Sequence, residues 1–450
     1  MAKDLTRDRQ LAGHRPVHLT VGRERVILVG GYRPGDLATG EEPLEELERL
    51  ADTAGAHVIA KVVQRMREIH PGTYIGRGKA EEIADLAKRE KCRCVIFDHD
   101  LTPSQTRSLE EVIEGKVVDR TDLILDIFAS RARTRMAKVQ VNLALAEYRL
   151  PRLRRLWTHL EKQEGGIGMR GGAGERQIET DRRMLGKQIR DLKNELAQIQ
   201  ARKERMVRAR QGEHFLVSLV GYTNAGKSTL MRALTGEDVS VNDQLFETLD
   251  TRTAALKLGG GLQALLSDTV GFIRRLPHHL VASFHATLEE ARSADLLLHV
   301  VDLSSPLARE QMAAVDEVLR DVGCGGKEVL HVFNKTDRVH GDQEIEAGLL
   351  QHEYPGAVRI SALHRQGLDR LRAILRERAR TCAAPVKLSV YAGDGKALAF
   401  IATHFFEEGR EADGDWITLR GRATAPVLER LRTFGDTVRI LDRLPEPRTW

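Results

Sequence analysis

Apolar positions in the first 125 residues recur in two alternating rhythms. Residues 25–30 form an apolar run ending in a Gly-Gly pair, 57–63 are rich in β-branched side chains, and 94–97 have buried-strand character. Between them Leu44, Leu47 and Leu50 keep helical spacing within 41–52, and 80–90 reads as a second helix. Strand and helix in turn predict a small α/β domain with parallel strands over residues 1–128.

After Phe128 the rhythm is helical throughout. Val139, Leu143, Leu150, Leu153, Trp157 and Leu160 mark a first helix, which Pro151 kinks or splits. Ile178, Leu185, Leu192, Ile199 and Met206 fall seven residues apart, with Ile189 and Leu196 between them, as in a coiled-coil seam. Thr180 and Asp181 are candidate caps for this second helix. The ten residues 165–174 that separate the two patterns contain six glycines. Residues 129–211 therefore predict a long helical hairpin with a flexible tip.

From His214 the pattern is α/β again. Strands are expected at 215–220, 263–267, 296–301, 329–333 and 357–360, and helices at 228–234, 283–292, 310–322 and 368–380. Their alternation predicts a doubly wound sheet over 212–384. Residues 383–385 read as a linker, and 385–450 as a small α+β domain of β-α-β-α-β order, with strands near 386–391, 416–419 and 437–441.

Composition excludes several classes of function. Charged residues at 30% and hydrophobic ones at 41% describe a globular chain, and 450 residues suffice for two to four domains of roughly 100–200 residues. No stretch approaches ~18 consecutive apolar residues, which excludes a membrane-spanning helix. The charged N-terminus is unlike a secretory signal. Cys92, Cys94, Cys324 and Cys382 are too few for a disulfide framework and fit a reducing cytosol; Cys92 and Cys94 lie too close together for a zinc knuckle. Aromatics at 4% argue against a surface built mainly on base stacking.

Charge is unevenly spread. The net charge is +5, yet residues 131–211 hold 21 Lys+Arg against 9 Asp+Glu, a surplus of +12 that leaves −7 for the remainder. A basic arm of that kind neutralises phosphates and gives salt-dependent RNA affinity with little sequence preference.

The chemistry lies in the third domain. Gly221-Tyr222-Thr223-Asn224-Ala225-Gly226-Lys227-Ser228, followed by Thr229, matches G-x-x-x-x-G-K-[ST] after a strand and before a helix. Such a loop wraps phosphates in backbone N–H groups; Lys227 reaches the β- and γ-phosphates and Ser228 binds Mg²⁺. Asp268-Thr269-Val270-Gly271 ends a second strand, where the carboxylate serves Mg²⁺ and the Gly271 N–H the γ-phosphate. Asn334-Lys335-Thr336-Asp337 ends a third, and Asp337 suits the N1–H and amine of guanine. Ser361-Ala362-Leu363 ends a fourth and can offer an N–H to the guanine carbonyl. All four elements sit at carboxyl ends of strands, where such sheets bind ligands.

A threonine that binds Mg²⁺ must lie between the first two motifs. Thr248 is preferred within Phe246-Glu247-Thr248-Leu249-Asp250, all five counted with the nucleotide-contacting residues; spacing leaves Thr251 and Thr253 open. Lys227, Thr248 and Gly271 form the catalytic set, and Ser228, Thr248 and Asp268 the metal set. Phe272 stands where Ras-like GTPases place the Gln that orients water, so slow hydrolysis by the isolated chain is expected.

Gly165-Gly166-Ile167-Gly168-Met169-Arg170, Gly174-Glu175 and Ile178-Glu179-Thr180-Asp181-Arg182-Arg183 lead through the basic coil into the Gly221 loop. With the G motifs, they resemble the HflX family of bacterial ribosome-associated GTPases over nearly the whole chain. That family usually has Arg-Gly-Pro-Gly-Glu in the loop, whereas Arg170-Gly171-Gly172-Ala173-Gly174-Glu175 is one residue longer and lacks the proline. The resemblance implies a cytoplasmic GTPase that uses GTP/GDP and Mg²⁺ and is monomeric off the ribosome. It would bind the large ribosomal subunit, with its 131–211 arm near the rRNA of the peptidyl-transferase centre, and split stalled or idle ribosomes. The resemblance also supports Thr248 as the Mg²⁺ threonine and implies that the ribosome stimulates hydrolysis.

Two other readings compete. One is a GTP-regulated switch for a protease or a membrane-associated partner, peripherally attached to the membrane. The other is an ATP-dependent rRNA remodeller using a site around Gly72, Gly76, Gly78 and Lys79, a stretch that also reads as a turn and helix start. His278-His279 has no companion ligands at metal spacing and reads as a surface loop.

Overall fold

The computed structural model describes residues 24–37, 42–153, 173–210, 214–236, 246, 252–259, 262–274, 289–341 and 343–443. By packing, the chain forms two compact units. The first comprises Met1–Leu196, Gln244–Phe246 and Leu276–Ser283, and the second Ala197–Asp243, Glu247–Arg275 and Phe284–Trp450.

In the first unit the elements run β1 (Arg25–Tyr32), α1 (Glu45–Thr53), β2 (His57–Arg65), α2 (Arg77–Arg89), β3 (Cys94–Phe97), α3 (Pro103–Ile113), β4 (Lys116–Val118), α4 (Arg120–Arg131) and α5 (Arg135–Arg149). The strands form a parallel sheet in the order β2-β1-β3-β4. Its core joins Ile27, Val29, Val95 and Phe97 to Ile83 of α2 and Leu109 of α3. Periodicity missed α3 and α4 for different reasons. A capping box between Thr102 and Gln105, with Pro103 in the first turn, starts α3. Helix α4 buries seven of its twelve residues, so it shows no amphipathic stripe.

The Gly72–Lys79 stretch forms a turn and the start of α2. Gly76 precedes α2 and donates its N–H to Gln64 Oε1 at 3.0 Å, while Lys79 pairs with Glu82 of its own helix at 2.5 Å. At the carboxyl end of β3, buried Arg120 binds Asp98 at 2.7 Å and Glu46 at 2.6 Å, and the Tyr32 hydroxyl donates to Asp98 at 2.8 Å. The four cysteines are unpaired thiols.

Helix α5 ends at Arg149, two residues before Pro151, so the proline follows a stop rather than a kink. The second arm helix, α6 (Ala173–Arg210), is 38 residues long. Of its seam, Ile189 and Leu196 are the most buried described residues. Arg135–Glu195 and Glu147–Lys193 ion pairs tie α5 to α6. The glycine stretch up to Gly172 lies outside the described residues.

The second unit continues with β5 (Phe215–Val220), α7 (Lys227–Thr235), β6 (Arg252–Gly259), β7 (Leu262–Asp268), β8 (Leu296–Asp302), α8 (Ala308–Asp321), β9 (Val329–Asn334), α9 (Gln343–Glu353), β10 (Val358–Arg359) and α10 (Leu368–Thr381). Sheet order is β10-β9-β8-β5-β7-β6, parallel except for β6. Leu230 and Met231 of α7 pack with Leu371 and Leu375 of α10 in one core; Met312 of α8 and Leu350 of α9 lie in another. The chain leaves β5 for β7 on one side and returns as β8 on the other. Strand order therefore reverses at the carboxyl end of β5, where doubly wound sheets bind ligands.

Last come β11 (Ala384–Tyr391), α11 (Gly395–His404), β12 (Phe406–Asp413), β13 (Trp416–Ala423), α12 (Ala425–Arg432) and β14 (Val438–Arg443). Here two expectations are corrected. Residues 384–385 begin β11 instead of linking domains, with Pro385 near the strand start, where its missing N–H is tolerated. The order is β-α-β-β-α-β, because Phe406–Asp413 is an edge strand whose mostly exposed polar side chains carry no apolar alternation.

No helix of the described residues is long and apolar enough to cross a membrane.

Candidate functional site

Strand β5 delivers the chain into the loop 221–226, and α7 begins at Lys227, so the helix N-terminus faces the loop. Two glycines are fixed by their surroundings. A Cβ on Gly221 (φ +149°) would lie 2.3 Å from the Val300 carbonyl oxygen, and one on Gly226 (φ +94°) 2.3 Å from Asn334 Nδ2. Buried Lys227 donates to the carbonyls of Gly221 at 3.0 Å and Tyr222 at 2.9 Å, which holds its ammonium against the loop. Burial lowers its pKa to about 8, with Asp268 opposing the shift. Bound phosphate would oppose it further.

Ser228 Oγ donates to Asp268 Oδ2 at 2.7 Å, and Asp268 is fully buried. A hydroxyl and a carboxylate converging beside the phosphate loop are hard oxygen donors of the kind Mg²⁺ takes. These residues fit the ion. The neighbouring Thr269 hydroxyl donates to the Leu219 carbonyl at 2.7 Å, fixing the strand end that carries Asp268.

The segment after Asp268 is bound to the loop by its backbone. Thr223 N–H donates to the Phe272 carbonyl at 2.7 Å, Phe272 N–H to the Gly221 carbonyl at 3.2 Å, and Arg274 N–H to the Tyr222 hydroxyl at 2.8 Å. Phe272 itself is buried. A Cβ on Gly271 would meet Thr223 Cγ2 at 2.7 Å and Lys227 Nζ at 3.1 Å, so a side chain there would crowd the lysine.

Asn334 joins the base-recognition loops to the phosphate loop. Its Nδ2 donates to the Ala225 carbonyl at 2.9 Å, and its Oδ1 accepts from the Ala362 N–H at 3.0 Å. The Ala362 N–H is thus engaged by a side chain of the same site. Lys335 pairs with Asp302 at 2.7 Å, and Thr336 Oγ1 donates to the Ile360 carbonyl at 3.0 Å. The Ser361 hydroxyl donates to Asp337. Burial raises the Asp337 pKa, but the Ser361 bond and nearby His364 outweigh it and hold the carboxyl below its ordinary value. Leu363 is 60% exposed.

The structure thus brings together Gly221 to Ser228, Asp268 to Gly271, Asn334 to Asp337, and Ser361 with Ala362 at one set of strand ends. Thr229 lies in the first turn of α7. Phe246 is buried in the first unit, with its ring edge-on to Phe128 at 4.6 Å. Glu247, Thr248, Leu249, Asp250 and Thr251 lie outside the described residues, as do His278 and His279. Thr253 stands in β6, paired with Ser267. The sequence reading missed the Tyr222–Arg274 bond and the double role of Asn334. It also missed His299 beneath the loop, whose pKa burial, then His331 and Lys227, lower to about 3, so that it stays neutral.

Three family models match in succession: "GTP-binding GTPase N-terminal" over residues 41–129, "GTP-binding GTPase Middle Region" over 131–210 and "50S ribosome-binding GTPase" over 216–335. A GTPase HflX of Magnetococcus marinus strain MC-1 is 44% identical over 412 residues, 91% of this chain and 94% of that relative. The chain belongs to the HflX family of GTPases. A GTPase HflX of Lacrimispora saccharolytica is 47% identical over 351 residues, covering 77% of this chain and 81% of that relative. Among solved structures, the GDP complex of SsGBP matches 80% of this chain and 99% of that one, with 25% identity and a TM-score of 0.46. The chain is accordingly a GTP hydrolase that works with GTP, GDP and Mg²⁺.

Proposed function

We propose that this GTPase is cytoplasmic, is monomeric when unbound, and binds the large ribosomal subunit. With GTP bound it splits stalled or idle ribosomes, and hydrolysis to GDP releases it. The observation that carries this reading is the +12 surplus of residues 131–211 against −7 elsewhere, on a chain whose nucleotide domain matches a "50S ribosome-binding GTPase" model. The arm would lie along rRNA near the peptidyl-transferase centre, with the glycine-rich stretch 165–174 at its leading end. Backbone without side chains can approach a crowded RNA surface closely.

Lys227 and the loop N–H groups would hold the β- and γ-phosphates, and Ser228, Asp268 and Thr248 the Mg²⁺, whose chemistry is charge neutralisation of the phosphates. Gly271 N–H would touch the γ-phosphate. Because Phe272 and Arg274 are bonded to the same loop, contact of the Gly271 N–H with that phosphate would bear on this stretch as well. No amide side chain follows Gly271 to orient water, so turnover is slow until the ribosome supplies that function.

Cosedimentation with large subunits tests the reading. Binding should be strong with a non-hydrolysable GTP analogue, weaker with GDP, and lost at high salt. Binding indifferent to both nucleotide and salt would refute it.

A further inference from the structure

The sheet of the last four strands has the order β12-β13-β11-β14, and its three pairings are antiparallel. With its β-α-β-β-α-β connection this is the split βαβ topology. Both helices cover one face: Ala397 and Ile401 of α11 and Val427, Leu428 and Leu431 of α12 pack on Val386, Leu388, Val390, Leu419 and Val438. Alternation sends the intervening residues to the opposite face.

On that face two aromatic rings stand side by side on the two central strands. Tyr391 of β11 is directly opposite Trp416 of β13, with ring centroids 5.8 Å apart and planes at 61°. The Arg439 guanidinium of β14 lies 4.3 Å from the Trp416 ring centre. Tyr391 is 40% exposed, and Leu441, at the register shift of β14 against Lys387 and Leu388, 46%. Lys387 and Arg420 continue the face beyond the rings, opposite each other in register. On β13, β11 and β14 the face carries the cations Arg420, Lys387 and Arg439, and the one acidic residue of these strands is Asp442, the register partner of Lys387. Glu411 and Asp413 belong to the edge strand β12, and Glu411 pairs with Arg420 at 2.6 Å. A chain with 4% aromatics has placed two of them, Tyr391 exposed and Trp416 half-buried, beside a guanidinium.

We propose that this open sheet face binds single-stranded RNA. Unpaired bases stack on Trp416 and Tyr391, while Arg439, Lys387 and Arg420 meet the flanking phosphates. Sheets that offer aromatics on central strands take unstacked bases this way, and every base has a face to stack. The face is built by residues of β11, β13 and β14, none of them in the phosphate loop or in residues 131–211, and the proposal does not depend on ribosome splitting.

Because the arm also attracts RNA, the test must report from the face itself. The chain has three tryptophans, Trp157, Trp416 and Trp450, so full-length protein carrying Trp157→Phe and Trp450→Phe leaves Trp416 as the sole indole. Titration with an oligouridylate of about 12 nucleotides, long enough for a typical single-strand site, should quench Trp416 saturably. A duplex RNA of equal length should not. Tyr391→Leu should weaken the quenching affinity about tenfold, the scale of one lost stack. Tyr391→Phe should restore it, and Arg439→Gln should weaken it at low salt. GDP affinity, unchanged in each variant, controls for folding. RNA binding seen by anisotropy without quenching of Trp416, or equal quenching by duplex, would overturn the proposal. So would capture of a ribosomal protein by this face with no response to RNA.

Discussion

The side chain of Asn334 bridges two backbone groups, donating to Ala225 at 2.9 Å and accepting from Ala362 at 3.0 Å. A single amide thus sets the distance between the phosphate loop and the base-recognition loop. Both bonds are buried, and removing the amide strands an N–H and a carbonyl. Asn334→Ala should weaken GDP and GTP alike by roughly 10–100-fold, the cost of about 1–3 kcal/mol per unsatisfied buried group. Titration with a fluorescent GDP analogue checks this; unchanged affinity would mean the loops are positioned by something else.

Gly226→Ala is the sharper steric test. Its Cβ would fall 2.3 Å from the same Asn334 nitrogen, at a φ of +94°. Nucleotide binding should be abolished while circular dichroism keeps the native profile. An alanine variant that binds GDP normally would show that the loop can yield.

Asp337→Asn should turn base preference from guanine toward xanthine, since the amide presents a donor where the carboxylate accepts. Competition between GTP and XTP measures it. Retained GTP preference would remove Asp337 from base recognition.

Lys227 makes nucleotide affinity dependent on pH. In the nucleotide-free chain burial holds its pKa at about 8, and bound phosphates raise it. The group is therefore protonated in both states below pH 8, and affinity should be flat there. Above pH 8 the free form loses the proton that the bound form keeps, so GDP affinity should fall with rising pH, by at most about tenfold per unit. Lys227→Arg, whose side chain stays charged, controls for titration of the base itself. An identical slope in the wild type and the variant would exclude Lys227 as its source.

Much of this arrangement is legible in the sequence because the phosphate loop is contiguous. Gly221, Gly226, Lys227 and Ser228 are read directly, and so are the apolar strands β5, β7, β8 and β9 that carry or support the site. What is not legible depends on distant partners. Asn334 acts on backbone groups 109 and 28 residues away, which no local pattern announces. Helix α4 hides because burial on most sides erases its stripe, and β12 because its Glu, Arg and Asp side chains face solvent at a sheet edge. Which N–H of Ser361-Ala362-Leu363 is engaged inside the protein is equally hidden, because the Asn334 oxygen that takes the Ala362 N–H is distant in the chain.

The most direct measurement is a sucrose-gradient profile of intact ribosomes incubated with the full chain. With a non-hydrolysable GTP analogue the ribosome peak should convert to subunits, with the chain cosedimenting on the large one. With GDP the peak should persist, and so it should with a chain lacking residues 165–174 that still binds GTP. An intact ribosome peak in the presence of bound, GTP-loaded chain would contradict ribosome splitting.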